Sequence, residues 1–250
     1  MTHHVPRGSH RRGLAVLVAA IATAPAAARA AEDGGTVSGT VTLADPSKRD
    51  RWPERSEGFV PRARNALKPP RAFDPLPYIV VVLEGGTPAP EDTEAPGQPV
   101  RYTIIGEAFE QPILPVVVGS IVEVKNGGAR SPRLYVAGED GLIPGDPVSP
   151  KAERKTRPIA EPNRAYVIRD RESAHLTGRV VAFPHRYFAR VGPGGKFEIE
   201  GVAPGTWRVR VWYEDGWVDM PSQTIEVEAR REARVKQIAL PARLTTTPAN

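Results

Sequence analysis

The sequence predicts an all-β protein built of two Greek-key-type β-sandwich domains with almost no helix. Three observations predict it. Apolar residues recur at every second position in short runs, the period of a pleated strand with one buried face. The runs are separated by turn residues, and Pro 27 with Gly 23 make up about a fifth of the 250 residues. Nowhere do apolar residues recur at three- and four-residue spacings over helical length.

The amino terminus stands apart. Arg11 and Arg12 precede the apolar run Gly13–Ala22, and Ala28-Arg29-Ala30 follows. A positive start, a short apolar stretch and Ala-x-Ala predict a signal peptide over residues 1–30, cleaved after Ala30. The chain is therefore expected to be secreted or periplasmic. The run is too short to span a bilayer, and no later run reaches that length. Loss of residues 1–30 removes Arg7, Arg11, Arg12 and Arg29 and no acid, so the formal charge falls from +5 to +1. A near-neutral mature chain argues against nucleic acid as a partner. The absence of cysteine excludes disulfides, zinc–thiolate sites and thiol nucleophiles.

In the mature chain, Thr36–Leu43 alternates, with Val37, Val41 and Leu43 facing inward and Gly39 at a close approach. Residues 44–75 lose periodicity. They carry Lys48, Arg49, Arg51, Arg55, Arg62, Arg64, Lys68 and Arg71 among prolines, and read as a solvated spacer partly neutralised by Asp45, Asp50, Glu54, Glu57 and Asp74, with a basic docking arm for an anionic surface or partner as the alternative. Pro77–Leu83 is apolar on both faces and predicts a central strand. A Pro-rich acidic loop follows over 87–99.

Val100, Tyr102 and Ile104 mark the next strand, with Phe109 and Ile113 anchoring a loop. Val116–Asn126, Leu134–Val136, Ala165–Arg169 and Gly178–Phe183 follow as strands. Lys196–Glu200 and Trp207–Tyr213 alternate on either side of Ala203-Pro204-Gly205. Proline fixes φ there and glycine tolerates positive φ, so the two runs form a hairpin. Thr224–Ala229 and part of Glu232–Leu240 complete the pattern, and 241–250 is expected to be a disordered tail.

Several of these phrases resemble known modules. Gly195–Glu214 (GKFEIEGVAPGTWRVRVWYE) resembles the hairpin of carboxypeptidase-regulatory-like, or transthyretin-like, β-sandwiches. Val118-Gly119-Ser120-Ile121-Val122-Glu123-Val124-Lys125-Asn126 resembles the run that precedes the first copper histidine of cupredoxins. With Gly35–Val41, Val81–Gly86 and Pro184–Ala189, the chain resembles exported bacterial proteins in which a cupredoxin-like domain is followed by a carboxypeptidase-regulatory-like domain.

The resemblance implies domains at 36–177 and 178–240, although 36–43 also suits the second sandwich. It further implies copper ligands at four positions, which here hold Pro132, Asp170, Ser173 and Leu176. Type 1 copper needs two imidazoles and a thiolate. The expected cofactor is therefore none, and the cupredoxin-like frame is expected to be degenerate.

Other constellations are sparse. Past residue 30 the histidines are His175 and His185, and with Asp170 they are the conceivable metal set. The strand Gly178–Phe183 lies between them, so they are expected at its opposite ends. Ser173 lacks a Gly-x-Ser-x-Gly elbow. Gly192–Gly195 lacks the Lys-Ser/Thr ending of a phosphate loop. No catalytic set is found. Trp212 falls on the face of its strand shared with Arg208 and Arg210, and Trp217 follows in the next turn. This surface would serve a partner or stack on sugar rings, unless Trp212 closes an interdomain seam. The expected function is a non-enzymatic binding or scaffold module whose partner is an envelope protein or a glycan.

Overall fold

The computed structural model describes Met1 and residues 34–43, 74–241 and 244–247. The predicted signal peptide and nearly all of the basic insert lie outside the described residues. Among those described, the chain is nearly all β. Its helical segments are single 3₁₀ turns at Leu76–Tyr78, Pro90–Asp92 and Pro193–Gly195.

The strands in order are β1 (Gly35–Thr42), β2 (Ile79–Glu84), β3 (Val100–Ile105), β4 (Ala108–Phe109), β5 (Ile113–Val117), β6 (Val122–Asn126), β7 (Leu134–Val136), β8 (Glu153–Lys155) and β9 (Arg164–Asp170). They continue as β10 (Thr177–Phe183), β11 (Phe188–Arg190), β12 (Lys196–Val202), β13 (Gly205–Tyr213), β14 (Gly216–Val218), β15 (Gln223–Val227), β16 (Glu232–Arg234), β17 (Ile238–Ala239) and β18 (Thr246–Thr247).

They form four sheets. One sandwich pairs the sheet β4-β3-β6-β8 with the sheet β5-β10-β9-β7. Between them lies a core that includes Tyr102, Ile104, Val122, Val124, Leu134, Ile168, Val180 and Ala182. The other pairs the sheet β11-β2-β13-β14-β18, with β15 also on β13, against β12-β1-β16, with β17 also on β1. Its core includes Val37, Ile79, Val81, Leu83, Ile199, Trp207, Val209 and Val211.

The two sandwiches stack through their inner sheets. Strand β2 directs Ile79, Val81 and Leu83 into its own core, and Val80 and Val82 to the opposite face. Strand β10 does the same with Val180 and Ala182 on one side and Val181 and Phe183 on the other. Val80, Val82, Ile113, Val181, Phe183, Trp212 and Trp217 make a third core between the sandwiches. Sheets pack about 10 Å apart, and a strand buried on both faces reads as a continuous apolar run. Pro77–Leu83 shows that signature.

The connectivity corrects the expected sequential arrangement. Strand β2 pairs with β13 (Val211↔Val81, Trp212↔Val80) and with β11 (Phe188↔Val82), not with strands of the 100–183 region. Strand β1 pairs with β12. Strand β10 pairs with β9 (Thr177↔Arg169) and β5 (Val180↔Leu114), so the expected boundary at 177/178 cuts a hydrogen-bonded sheet. The sandwich of β3–β10 is thus inserted between β2 and β11, which are antiparallel neighbours in the other sandwich. Its exit and return sit together, with the Leu83 amide donating to the Tyr187 carbonyl at 3.0 Å. Insertions are accommodated where the two chain ends are close.

Two further expectations change. Ile113 opens a strand rather than anchoring a loop. The tail is not wholly disordered, because β18 pairs with β14.

Gly178 explains one tight spot. A Cβ there would lie 2.5 Å from the Tyr102 hydroxyl and 2.6 Å from the Phe109 ring. Those rings stack at 4.2 Å, and the Tyr102 hydroxyl donates to the Gln111 carbonyl at 2.8 Å while accepting the Arg179 amide at 3.2 Å. Burial raises the Tyr102 pKa well above the usual phenol value.

Candidate functional site

The four positions at which the cupredoxin resemblance implied metal ligands converge. Pro132 before β7, Asp170 at the end of β9, and Ser173 and Leu176 in the turn before β10 line one small cavity of about 40 Å³. Ile104, Glu107, Asn126 and Arg130 are among the other residues of its wall. The side chains do not fit copper. Pro132 and Leu176 offer no donor atom, and no thiolate exists in the chain.

The cavity's polar groups are engaged with one another. Asp170 Oδ1 accepts the Arg133 amide at 2.7 Å, which ties β9 to the segment entering β7. Asn126 Nδ2 donates to the carbonyls of Arg130 and Val148, each at 2.7 Å, and its Oδ1 accepts the Gly128 amide at 2.9 Å. One buried amide therefore fixes the 127–131 loop to the chain near Val148.

At the rim, Glu107 pairs with Arg130 at 3.3 Å and with His175 Nε2 at 3.3 Å. The Arg130 hydrogen bond, followed by that of His175, lowers the Glu107 pKa. Ser173 Oγ lies 3.0 Å from the same Nε2. A hydrolytic relay uses both ring nitrogens, one toward the serine and one toward the carboxylate. Here Ser173 Oγ lies within reach of both nitrogens, 3.4 Å from Nδ1 and 3.0 Å from Nε2, the nitrogen that also meets Glu107, so serine and carboxylate are not held on separate nitrogens of this exposed imidazole.

The conceivable metal set is not brought together. His175 is exposed at the start of β10, whereas His185 is buried beyond its end, and seven strand residues span about 23 Å. His185 Nδ1 accepts the Tyr187 amide at 3.3 Å, and its ring packs on Tyr187 and Trp207 with centroids 5.2 and 5.8 Å away. Burial lowers its pKa; the carboxylates of Glu84 and Asp92 oppose that effect. Asp170 belongs to the His175 end. Among the described residues no cluster of three metal-donor side chains is found.

The aromatic surface proposed from sequence is corrected. Trp212 and Trp217 lie on the outer face of their sheet, as alternation implies, but the inserted sandwich covers that face. Trp212 is 0 % exposed and Trp217 5 %. The Trp212 indole N–H donates to the Glu214 carbonyl at 2.9 Å, and its ring meets Phe183 edge-on at 5.8 Å. Arg210 bonds Glu84 at 3.1 Å and lays its guanidinium over the Trp217 ring at 4.2 Å. Arg208 remains exposed, opposite Glu84 in the sheet. The indole faces are thus unavailable for sugar stacking.

A second polar cluster had no clear signal in the sequence. Asp92, in the acidic loop after β2, is 2 % exposed. It accepts the Tyr187 hydroxyl on one oxygen and pairs with Arg186 Nε on the other. The Arg186 amide donates to the Asp92 carbonyl at 2.9 Å, and the Ala203 amide donates to the Tyr187 hydroxyl at 3.1 Å. Burial first, then the bond to Asp92, raises the Tyr187 pKa to about 12. This knot fastens the departing strand to the returning one. Only Tyr187 and Arg186 fell within a phrase that stood out in the sequence.

A family model described as polysaccharide lyase family 4, domain II, matches residues 170–235. The matched stretch runs from the last residue of β9 past β16, and so crosses from one sandwich into the other. Among solved structures, amicyanin from Paracoccus versutus is similar at 13% identity with a TM-score of 0.30, covering 41% of this chain and 96% of that one. An oxidised amicyanin variant is similar at 22% identity with a TM-score of 0.30, covering 41% of this chain and 97% of that one. No curated protein matches the chain.

Proposed function

We propose that this chain is an exported, non-enzymatic binding or scaffold module that docks a protein partner on the loop pole of its inserted sandwich. The observation that supports this reading most directly is the state of the cavity at that pole. The four ligand positions implied by the resemblance converge, yet Pro132 and Leu176 carry no donor atom, and Asp170, Glu107 and Arg130 are engaged by neighbouring protein groups. What the pole offers outward is a rim of exposed Arg130, Arg133, Glu172 and His175 on loops held by a rigid frame.

The matched family description is that of domain II of a polysaccharide lyase family, over residues 170–235, and a non-catalytic role is compatible with it. Export rests on the signal-peptide pattern of residues 1–30, and the intact mass of the exported chain tests it by showing cleavage between Ala30 and Ala31.

Docking is tested by crosslinking in intact cells. Charge reversal at Arg130 and Arg133, taken together, is expected to abolish the crosslinked partner. Reversal at exposed Glu228 and Arg231, in the other sandwich, is expected to leave it. Unchanged crosslinking after pole reversal would remove the pole from the reading.

A further inference from the structure

Four asparagines occur in the chain, and Asn126 alone is followed by glycine. Asparagine is a heat-labile side chain. It reacts fastest ahead of glycine, which has no Cβ to screen its own nitrogen. In the reaction the Gly127 nitrogen, having lost its proton, bonds to Asn126 Cγ. The bond from Cγ to Nδ2 breaks, and Nδ2 leaves with a proton as ammonia. Water then opens the cyclic imide at either carbonyl, which leaves aspartate or isoaspartate.

The fold engages every group this step needs. The Gly127 amide donates to the Ile104 carbonyl at 2.8 Å, so its proton is held against the end of β3. Asn126 Nδ2 donates to the Arg130 and Val148 carbonyls, and Oδ1 accepts the Gly128 amide. The carboxamide cannot turn toward the Gly127 nitrogen without giving up these bonds. The main chain is fixed as well. The Asn126 amide donates to the Ala152 carbonyl at 2.9 Å, and its carbonyl accepts the Lys151 amide at 2.8 Å. At 1 % exposure Asn126 is also closed to water.

The same packing demands the reactive sequence. A Cβ on Gly127 would lie 2.7 Å from the Ile104 carbonyl oxygen, and one on Gly128 would overlap the Gly106 carbonyl. Glycine is therefore required after Asn126, and the contact that requires it is also the contact that ties up its amide.

We propose that Asn126-Gly127 is a modification site latched by the fold. It is inert while the loop pole is closed. Opening of the pole releases it to deamidate, and deamidation makes the opening permanent. A carboxylate has no N–H for the Arg130 and Val148 carbonyls, and a buried anion facing two carbonyl oxygens is costly. Isoaspartate also adds one atom to the main chain at the end of β6. The inference does not depend on a docked partner.

The full-length chain is incubated in mildly alkaline buffer, with and without denaturing urea, then digested and weighed. Cleavage after Lys125 and Arg130 separates Asn126 from the other asparagines. Conversion raises that peptide by one mass unit, and an isoaspartate methyltransferase assay identifies the isomer. In urea Asn126 should convert well ahead of Asn163, which precedes Arg164. In buffer its rate should fall by at least about a hundredfold, because opening then limits it. A smaller fall would overturn the latch. Conversion in urea no faster than that of Asn163 would overturn the site.

A variant at position 126 would remove the latch itself, so permanence is read on the unaltered chain. After the urea is diluted out, the fraction that regains slow amide exchange over residues 126–128 should fall in step with conversion. The same exposure in mildly acidic urea, which suppresses deprotonation of the Gly127 amide, should leave recovery complete. Converted chain that regains slow exchange, or equal loss of recovery in acidic urea, would overturn permanence by deamidation.

Discussion

Trp212 and Trp217 meet edge to face, with ring centroids 5.0 Å apart and planes at 82°, directly opposite one another across the β13–β14 turn. Phe183 of the inserted sandwich lies 5.8 and 5.9 Å from the two rings. The three rings tie the inner sheets together, and they explain why an apparently outward-facing tryptophan pair is dry.

Trp212→Ala should therefore lower stability by about 3–5 kcal/mol, the range for deleting a buried aromatic. Trp217→Ala should cost about the same. Touching aromatic pairs are coupled by about 0.5–1.5 kcal/mol, so the double variant should deviate from additivity by that amount. Urea unfolding of the four chains measures it, and strict additivity would contradict the packing described.

His185 gives the fold an acid limit. Its folded pKa lies below the ordinary imidazole value, so the unfolded chain binds more protons as the pH falls below about 6.5. Stability from a neutral His185 is present above that pH and is lost as the pH falls through the lowered folded value. Between pH 7 and 5 the melting temperature should drop, and His185→Phe should flatten the drop. Equal slopes in the two chains would disprove this role.

Tyr187 acts at the alkaline end. Its pKa is raised to about 12 against 10 for a free phenol. The folded chain therefore retains a proton that the unfolded chain releases. The stability it contributes is complete below pH 10 and declines as the pH rises through about 12. Ultraviolet titration should show a late tyrosinate step near pH 12 that Tyr187→Phe removes. The same substitution leaves Asp92 short of one donor and should cost about 2 kcal/mol at neutral pH.

Gly178→Ala should destabilise the inserted sandwich by about 1–3 kcal/mol, because the new methyl meets the Tyr102 hydroxyl and the Phe109 ring within a packed core. Relief by a companion Phe109→Leu change would show that the ring contact is the cause. Calorimetry of the single and paired variants decides it.

Much of the strand inventory was legible. Alternation located β1, β3, β12, β13 and β15, and the two-faced run 79–83 announced a strand buried on both sides, because pleat period and burial are local properties of the chain. The cavity positions were legible only through resemblance. Asp170, Ser173 and Leu176 have no shared spacing with Pro132 that a sequence pattern could reveal, and strands β7 and β9 bring them together. Asp92 was hidden because an acidic residue in a Pro-rich loop looks solvated until Tyr187 and Arg186 are placed against it.

By itself the sequence determined the fold class, the faces of its strands, and the absence of thiol chemistry. These follow from side-chain character and from the two-residue period. The tertiary structure alone decided which strands pair, and so decided that the chain of one sandwich is inserted between two paired strands of the other and that the tryptophans lie in a seam. Strand pairing is made by main-chain N–H and C=O groups that nearly every residue shares, so a strand's pattern states that it needs a neighbour without naming which one.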